Sequence, residues 1–233
     1  MKVAIMQPYL FPYIGYFQLI KAVDKFVIYD NIEFTKKGWI NRNRILVNGK
    51  DDYFTLPLKK DSDFLHVNQK VVAETYQKDA TKIVAKISEL YKKAPQFESV
   101  FPMVKSVFMS NMDNLFDFIF YSVKLVNEYL GIKTELIISS QLNIEHNLKG
   151  ENKVLAICKA LNANYYLNSI GGIGLYSKET FRQNELQLHF LKSNPIDYPQ
   201  FTNEFVPWLS IIDVLMFNSK EKVIDFLDNY TVL

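Results

Sequence analysis

The stretch that decides the fold class is "KVAIMQPYLFPYIGYFQLIKAVDKFVIYD", residues 2–30 of the chain. Apolar runs at its two ends predict two buried strands, and between them Ile14, Phe17 and Ile20 recur at helical spacing. A strand, a helix and a second strand within so few residues predict a βαβ unit with parallel strands and a right-handed crossover.

The rest of the chain extends this pattern. "NRILV" and "DYFTLPL", joined by "NGKD", predict a hairpin, and Asp79 to Leu130 is helical in pattern up to a terminating Gly131. Further strand and helix signals follow. We expect an α/β fold with a Rossmann-like parallel sheet, in one domain spanning 1–233. The core would cover about 1–75 and 131–200, a helical insertion about 79–130, and C-terminal helices about 205–230.

Composition excludes several classes of protein. The formal net charge of +2 gives no field that favours nucleic acid, although an aminoacyl-tRNA donor stays open. One cysteine, no secretory leader and no apolar run of membrane length indicate a cytoplasmic protein. The histidines His66, His146 and His189 are scattered and form no zinc motif, so we expect no metal site. Oligomeric state is left open, and a homo-oligomer is compatible with the sequence.

The loop after the first strand is the first candidate site. In an open α/β sheet, ligands bind at the carboxyl ends of the strands, and a helix N-terminus there suits phosphate. "YIGY" (13–16) is similar in spacing to the HxGH element of class I nucleotidyl transferases and adenylating ligases, with tyrosine in place of both histidines. We expect Phe11 and Phe17 to face the core and Tyr9, Tyr13 and Tyr16 to face the cleft. Gly15 would let a ligand approach the helix closely. The candidate binding residues are Gln7, Tyr9, Tyr13, Gly15 and Tyr16; a packed corner of the core is the alternative.

The segment "DNIEFTKKGWINRNRI" (30–45) is the second candidate site. It combines a carboxylate at the end of a predicted strand with cations that suit phosphate and an aromatic ring that can stack on a base or sugar. A solvated basic loop is the alternative. The candidates are Asp30, Lys36, Lys37, Trp39, Asn41, Arg42 and Asn43.

A glycine-rich loop, "NSIGGIGLYSKETF" (168–181), follows a later predicted strand and is the third candidate. Its amides could hold an anion, although turn chemistry alone also accounts for the glycines. "YSKETF" is distantly similar to the lysine–serine loop of adenylating enzymes. The candidates are Asn168, Ser169, Gly171, Gly172, Tyr176 and Lys178.

Two other features favour structural roles. Ser210 and Asp213 lie three residues apart on a predicted helix without a partner histidine, which is typical of capping or a core hydrogen bond. Cys158 lies in a predicted helix that faces the core and is interpreted as a buried thiol.

Several segments in order resemble the WbqC-like family: "MQPYLFPYIGYFQLI", "FVIYDN", "KKGWINRNRI", "YFTLPL", "ICKALNANYYLNSIGG" and "DYPQFTNEFVPWLSIIDVLMFN". The resemblance covers nearly the whole chain. It departs at "NSIGGIGLY", where a Ser/Gly/Pro loop is more usual, and at "FNSKE", where a glycine often follows the asparagine. The resemblance implies a role in bacterial O-antigen and surface-polysaccharide biosynthesis.

By that resemblance the chain would attach an acyl or amino-acid group, such as glycine, to the amine of a nucleotide-linked amino-deoxy sugar. The hypothesis assigns catalytic roles to Asp30, Tyr13 and Arg42. ATP with Mg²⁺ would serve as an activating co-substrate, and the acyl donor stays open. The alternatives are a non-catalytic nucleotide-sugar binding protein of the same pathway and a nucleotidyl transferase.

Overall fold

A six-stranded sheet forms the centre of the structure, a computed structural model that describes residues 1–201 and 204–233. The strands of the chain are β1 Lys2–Met6, β2 Lys25–Ile28, β3 Arg42–Val47, β4 Lys50–Thr55, β5 Glu135–Ile138, β6 Tyr165–Ser169, β7 Gln187–Ser193 and β8 Tyr230–Val232. The sheet order is β5-β2-β1-β6-β7-β8, and only the pair β7–β8 is antiparallel. When only the five parallel strands are numbered, in chain order, they lie side by side in the order 3-2-1-4-5. This order confirms the predicted Rossmann-like core.

The helices lie where the sequence pattern places most of them. They are α1 Ile14–Lys21, α2 Tyr76–Tyr91, α3 Phe97–Phe108, α4 Leu115–Leu130, α5 Gly150–Ala160, α6 Lys178–Gln183, α7 Ile211–Phe217 and α8 Lys220–Leu227. The block α2–α4 falls between β4 and β5, as the predicted insertion does. Gly131 ends α4 with a φ of 71°, a left-handed conformation that glycine adopts at little cost.

The sheet separates two apolar cores. Along the first two strands, Ala4, Phe26 and Ile28 pack into a large core with α1–α4, α7 and α8. The alternate residues Val3 and Val27 face a smaller core with α5 and α6. Strands buried on both faces explain why both runs read as continuously apolar.

Strands β3 and β4 form a hairpin outside the main sheet. Asn48 and Gly49 make its two-residue turn with φ angles of 49° and 77°, the positive values of a type I′ turn. The predicted hairpin is therefore confirmed.

The C-terminal region differs from the prediction. The predicted helix at 205 begins only at Ile211, because Ser210 caps it and Trp208 before it has a φ of 60°. After α8 the chain ends in β8, an antiparallel edge strand of three residues that the sequence pattern did not predict.

Candidate functional site

The strand order changes direction between β1 and β6. From β1 the chain continues outward to β2 and β5, then crosses back to β6 on the other side of β1. In doubly wound folds, ligands bind at this switch point, outside the carboxyl ends of the strands. The loop beginning at Gln7 follows β1, Asp30 follows β2, and Asn168 and Ser169 end β6, so all three predicted segments reach the same edge.

The glycine-rich loop is shaped by its neighbours. A Cβ atom on Gly172 would lie 2.2 Å from Nδ2 of Asn168, so glycine is needed for that side chain to fold over the loop. Oδ1 of Asn168 accepts a 2.8 Å hydrogen bond from the Ser169 amide. Gly171 is in more open space, with Oγ of Ser169 3.9 Å from such a Cβ. Tyr176 then packs edge-on against Tyr166, and Lys178 is exposed at the start of α6.

The aromatic residues after β1 divide between core and surface. Phe11, Tyr16 and Phe17 are buried, whereas Tyr9 and Tyr13 are half-buried. The Tyr16 hydroxyl donates to the Gln7 carbonyl oxygen at 3.1 Å, and its ring packs against other core aromatics. The prediction that Tyr16 faces the cleft was therefore wrong, because its ring fills the core under the loop.

Gly15 makes room for side chains of the protein itself. A Cβ atom there would lie 2.3 Å from Cε2 of Tyr13 and 2.4 Å from Oγ of Ser193. The space expected to admit a ligand is thus occupied by the Tyr13 ring. Burial raises the pKa of the Tyr13 hydroxyl, and a hydrogen bond with Ser193 opposes the shift, so the group keeps its proton at neutral pH.

An aromatic pocket of about 300 Å³ adjoins this loop. We call it the tryptophan pocket. Tyr9 connects it to the switch point, since its hydroxyl donates to Oε1 of Gln7 at 3.2 Å. The lining residues are Tyr9, Pro12, Tyr13, Trp39, Asn43, Arg44 and Trp208. Of these, Pro12 and Trp208 were not among the predicted site residues, whereas Arg44 is one of the cations of the second candidate segment, 30–45.

The predicted cations have other partners. Arg42 donates to the carbonyl oxygens of Lys37 and Gly38 at 2.6 and 3.1 Å, and its guanidinium lies 4.6 Å from the centre of the Tyr53 ring. It therefore orders the loop between β2 and β3. Lys36 forms an exposed ion pair with Asp63, and Lys37 is exposed.

The predicted amides also hold the main chain. Asn41 donates to the Leu56 carbonyl at 2.9 Å, and Asn43 donates to the carbonyls of Leu10 and Phe11 at 3.1 and 3.0 Å. Both side chains are buried. They fasten the hairpin to the loop after β1, and Asn43 contributes to the wall of the tryptophan pocket.

Asp30 is buried at the end of β2. One carboxylate oxygen accepts from the Ser140 amide at 2.8 Å and the other from Nδ2 of Asn68 at 2.7 Å. The carboxylate thus joins the ends of β2 and β5 to the segment before α2. A role as catalytic base stays a prediction, and this geometry favours a structural role.

A lysine cluster beside Asp30 was missed by the sequence reasoning. Lys153 is fully buried on α5, and its amine donates to the His146 carbonyl at 2.9 Å and lies 3.2 Å from His146 Nδ1. Asn31 Nδ2 also lies 3.0 Å from that nitrogen. Burial lowers the pKa of Lys153, and the negative charges of Asp30 and, to a smaller extent, Glu145 oppose that shift. The sequence carried no signal for this cluster, because Lys153 lies within an otherwise apolar helical pattern.

A second cleft lies at the opposite edge of the sheet. It measures about 580 Å³ and adjoins Asp24 and Thr134, which precede β2 and β5. Although it is larger, it lies at the amino ends of the strands, where parallel sheets do not place their ligands. We therefore take the switch point and the tryptophan pocket as the candidate site.

Within residues 1–201 and 204–233, no three or more His, Cys, Asp or Glu side chains are grouped so as to hold a metal ion. Across the same residues, each helix is too short or too polar to cross a membrane.

Comparison with known proteins identifies the family. An uncharacterized protein of Mycobacterium tuberculosis, Rv1507c, is 28% identical over 233 residues, covering 97% of each chain. No solved structure matches significantly. The model of the WbqC-like protein family matches residues 7–225, which include the loop after β1, the hairpin and the glycine-rich loop. The chain therefore belongs to the WbqC-like protein family.

Proposed function

We propose that the protein binds a nucleotide-linked amino-deoxy sugar at the carboxyl edge of its sheet and joins an acyl or amino-acid group to the sugar amine. The observation that carries the proposal is the switch point between β1 and β6, where the Gln7 loop and the glycine-rich loop face one edge. The sugar chemistry itself rests on the resemblance to WbqC-like proteins. The protein would thereby act in surface-polysaccharide biosynthesis in the cytoplasm.

The proposed reaction activates a carboxylate and transfers it to the amine. ATP and the amino acid form an aminoacyl-adenylate and pyrophosphate; the sugar amine then attacks the carbonyl carbon, AMP leaves with the bonding electrons, and the amine proton passes to solvent. Mg²⁺ would enter with the ATP phosphates. Thioester and aminoacyl-tRNA are the other donors, and their leaving groups would be a thiol and the tRNA hydroxyl.

The chain's own residues would bind and orient the substrates. The α1 N-terminus has no side-chain cap and no acidic residue in its first turn, so its positive dipole end would favour a phosphate near the loop, outside the space beside Gly15 that the Tyr13 ring fills. Tyr13 keeps its proton and would donate a hydrogen bond rather than accept the amine proton. Gln7, Asn168 and Lys178 are the proposed polar contacts around the phosphates.

The test is amide formation. The protein is incubated with a nucleotide-linked 4-amino-4,6-dideoxy sugar and, in separate reactions, glycine with Mg²⁺–ATP, a glycyl thioester or glycyl-tRNA, and the product is detected by mass spectrometry. We expect product with one donor, and less of it with Gln7→Leu than with the surface variant Arg182→Gln. Absence of product in all three reactions, without any rise in melting temperature from the nucleotide sugar, would refute the proposal, since a bound ligand must stabilise the fold.

A non-catalytic nucleotide-sugar binding protein is the second candidate. The observation that favours it is Asp30, whose two carboxylate oxygens are already hydrogen-bonded and buried. It predicts a raised melting temperature with the nucleotide sugar but no product from any donor. A nucleotidyl transferase is less favoured, because Tyr16 stands at the second histidine position of the HxGH pattern and is buried.

A further inference from the structure

Both tryptophans of the chain, Trp39 and Trp208, line the tryptophan pocket. These two residues are 37% and 49% exposed, respectively. Large aromatic side chains gain most from burial, so two half-exposed indoles around one cavity are not explained by folding alone.

The main chain at Trp208 has a strained conformation that neighbouring residues hold in place. Its φ of 60° lies in the left-handed region, which bulky residues rarely adopt. The Trp208 carbonyl accepts a 3.2 Å hydrogen bond from the Arg44 guanidinium, and the Ser210 amide donates to the Arg44 carbonyl at 2.9 Å. Strained positions that neighbours fix in this way are common in ligand clamps. The hairpin thus presents this indole as a wall of the pocket.

The polar groups of the pocket are nearly all engaged. The Tyr9 hydroxyl donates to Gln7, the Tyr13 hydroxyl pairs with Ser193, and the Asn43 amide donates to two carbonyls. Arg44 Nε is the exception: it is buried and has no hydrogen-bond partner among the residues that the structure describes. The Arg44 side chain as a whole is 26% exposed, and its guanidinium lies 5.3 Å from the centre of the Trp39 ring. The other end of this guanidinium pairs with Asp51 at 3.1 Å, which offsets its charge.

The aromatic walls of the pocket and the partly exposed Arg44 guanidinium favour some classes of ligand over others. A pyranose needs several hydrogen-bond partners for its hydroxyls, and a free phosphate needs uncompensated cations. A nucleobase has two apolar faces that stack on indole or phenol rings and an edge that needs only a few hydrogen bonds. The cavity of about 300 Å³ is large enough for such a ring.

We propose that the tryptophan pocket binds the base of a nucleotide, stacked on Trp208, with a base acceptor facing the Arg44 guanidinium. Trp39 already stacks on Tyr53, with ring centres 6.0 Å apart, and would close the pocket from the other side. The inference rests on the proposed function in that the nucleotide would be the one linked to the sugar. The Tyr9–Gln7 hydrogen bond places the pocket beside the switch point, so the base would lie next to the phosphates.

The chain supplies its own reporter, because its only two tryptophans line this pocket. Tryptophan emission is titrated with uridine, thymidine, cytidine, adenosine and guanosine, with methyl glycosides, and with inorganic phosphate, exciting at the red edge of the indole band. We expect saturable quenching by at least one nucleoside and none by glycoside or phosphate. Trp208→Ala should weaken the nucleoside roughly tenfold, as loss of one stacking partner does.

Arg44→Gln and the surface variant Arg182→Gln separate the donor's role from a general loss of charge. We expect Arg44→Gln to weaken binding severalfold and Arg182→Gln to leave it unchanged, with circular dichroism and melting temperature confirming that both fold. Trp208→Phe keeps a ring and should retain most of the affinity, which protects the test against misfolding of the alanine variant.

The outcomes separate the two proposals. Failure of every nucleoside to quench, equal quenching by a glycoside, or unchanged nucleoside affinity in Arg44→Gln would overturn the assignment of the pocket. Quenching by a nucleoside supports it even where no amide product forms, because nucleosides carry no amino sugar. Amide formation without any nucleoside binding at the tryptophans would overturn the pocket assignment alone.

Discussion

Replacement of Asp213 tests the buried network that fixes α7 behind the tryptophan pocket. Its carboxylate is fully buried and accepts hydrogen bonds of 2.7 Å from the Tyr91 hydroxyl, the Tyr198 hydroxyl and Nε2 of Gln200. The Tyr91 oxygen in turn accepts from the Leu46 amide of β3 at 2.9 Å. This network joins α2, the β3–β4 hairpin and α7.

The geometry sets the expected magnitude. In Asp213→Asn the remaining carbonyl oxygen can still accept from Tyr198 and Gln200, which share Oδ1. The new amide would face the Tyr91 hydroxyl, whose oxygen already accepts from Leu46, so one buried O–H loses its acceptor. An unsatisfied buried donor costs about 1–3 kcal/mol, and we expect about 2 kcal/mol for this substitution. Asp213→Ala removes the shared acceptor of Tyr91, Tyr198 and Gln200 and should cost more, although Gln200 Nε2 keeps its hydrogen bond to the Val206 carbonyl.

Urea unfolding followed by circular dichroism measures these free energies. In a Tyr91→Phe background the orphaned hydroxyl is absent, so Asp213→Asn should cost roughly 1 kcal/mol less there than in the wild type. Tyr198→Phe should give no such coupling, because its acceptor survives in the asparagine variant. Equal costs of Asp213→Asn in all three backgrounds would refute the assignment of the penalty to Tyr91.

The pH dependence distinguishes burial from hydrogen bonding. Burial raises the pKa of the Asp213 carboxyl above its ordinary value of 3.8, and the bonds from Tyr198, Tyr91 and Gln200 oppose that shift. Because the pKa of the Asp213 carboxyl is higher in the folded protein than in the unfolded chain, proton binding stabilises the fold. This stabilisation is complete below pH 3.8 and is lost as the pH rises through the pKa of the folded state. The cost of Asp213→Asn should therefore increase as pH falls from 7 towards 4. A cost that shrinks on acidification would show that the hydrogen bonds outweigh burial.

Three further predictions concern single residues. Gly15→Ala should destabilise the fold by about 1–3 kcal/mol and change tryptophan emission, because the new methyl group meets the Tyr13 ring and Ser193; an unchanged melting temperature would contradict this packing. Cys158 is buried and its pKa is raised to about 12, so it should react with a thiol reagent only in denaturant, and rapid native labelling would contradict its burial. Gly131→Ala has room for its methyl group but keeps a positive φ, so urea unfolding should show a loss of about 1 kcal/mol.

The parts of the fold that depend on local backbone chemistry could be predicted from the sequence. Asn48-Gly49 determines a hairpin turn through its positive φ angles, and Gly131 ends a helix for the same reason. Strand β8 could not be predicted, because three residues carry too little pattern and its pairing depends on β7, far along the chain. The same limit applies to Lys153, whose buried position depends on the loop around His146.

The candidate site was only partly predictable, for a related reason. The pattern could place Tyr16 on a helix but could not determine whether its ring faced the cleft or the core. It identified Asn41 and Asn43 as polar residues in a functional segment, and the structure shows their amides bound to main-chain carbonyls. It missed Trp208, because that residue approaches the hairpin only in the folded chain.

Hydrogen bonds hold the loop after β1, which forms one wall of the tryptophan pocket, in a fixed conformation. Phe11 has a φ of 42°, a strained value for an aromatic residue, yet its carbonyl accepts hydrogen bonds from both Asn43 and Ser210. Its neighbours are fastened as well: the Leu10 amide donates to the Ile40 carbonyl, and the Pro12 carbonyl accepts from the start of α7. These bonds fix the main chain between Tyr9 and Tyr13 from two sides. A ligand that enters the pocket then loses little affinity to ordering of the loop, which favours binding by a preformed stacking surface.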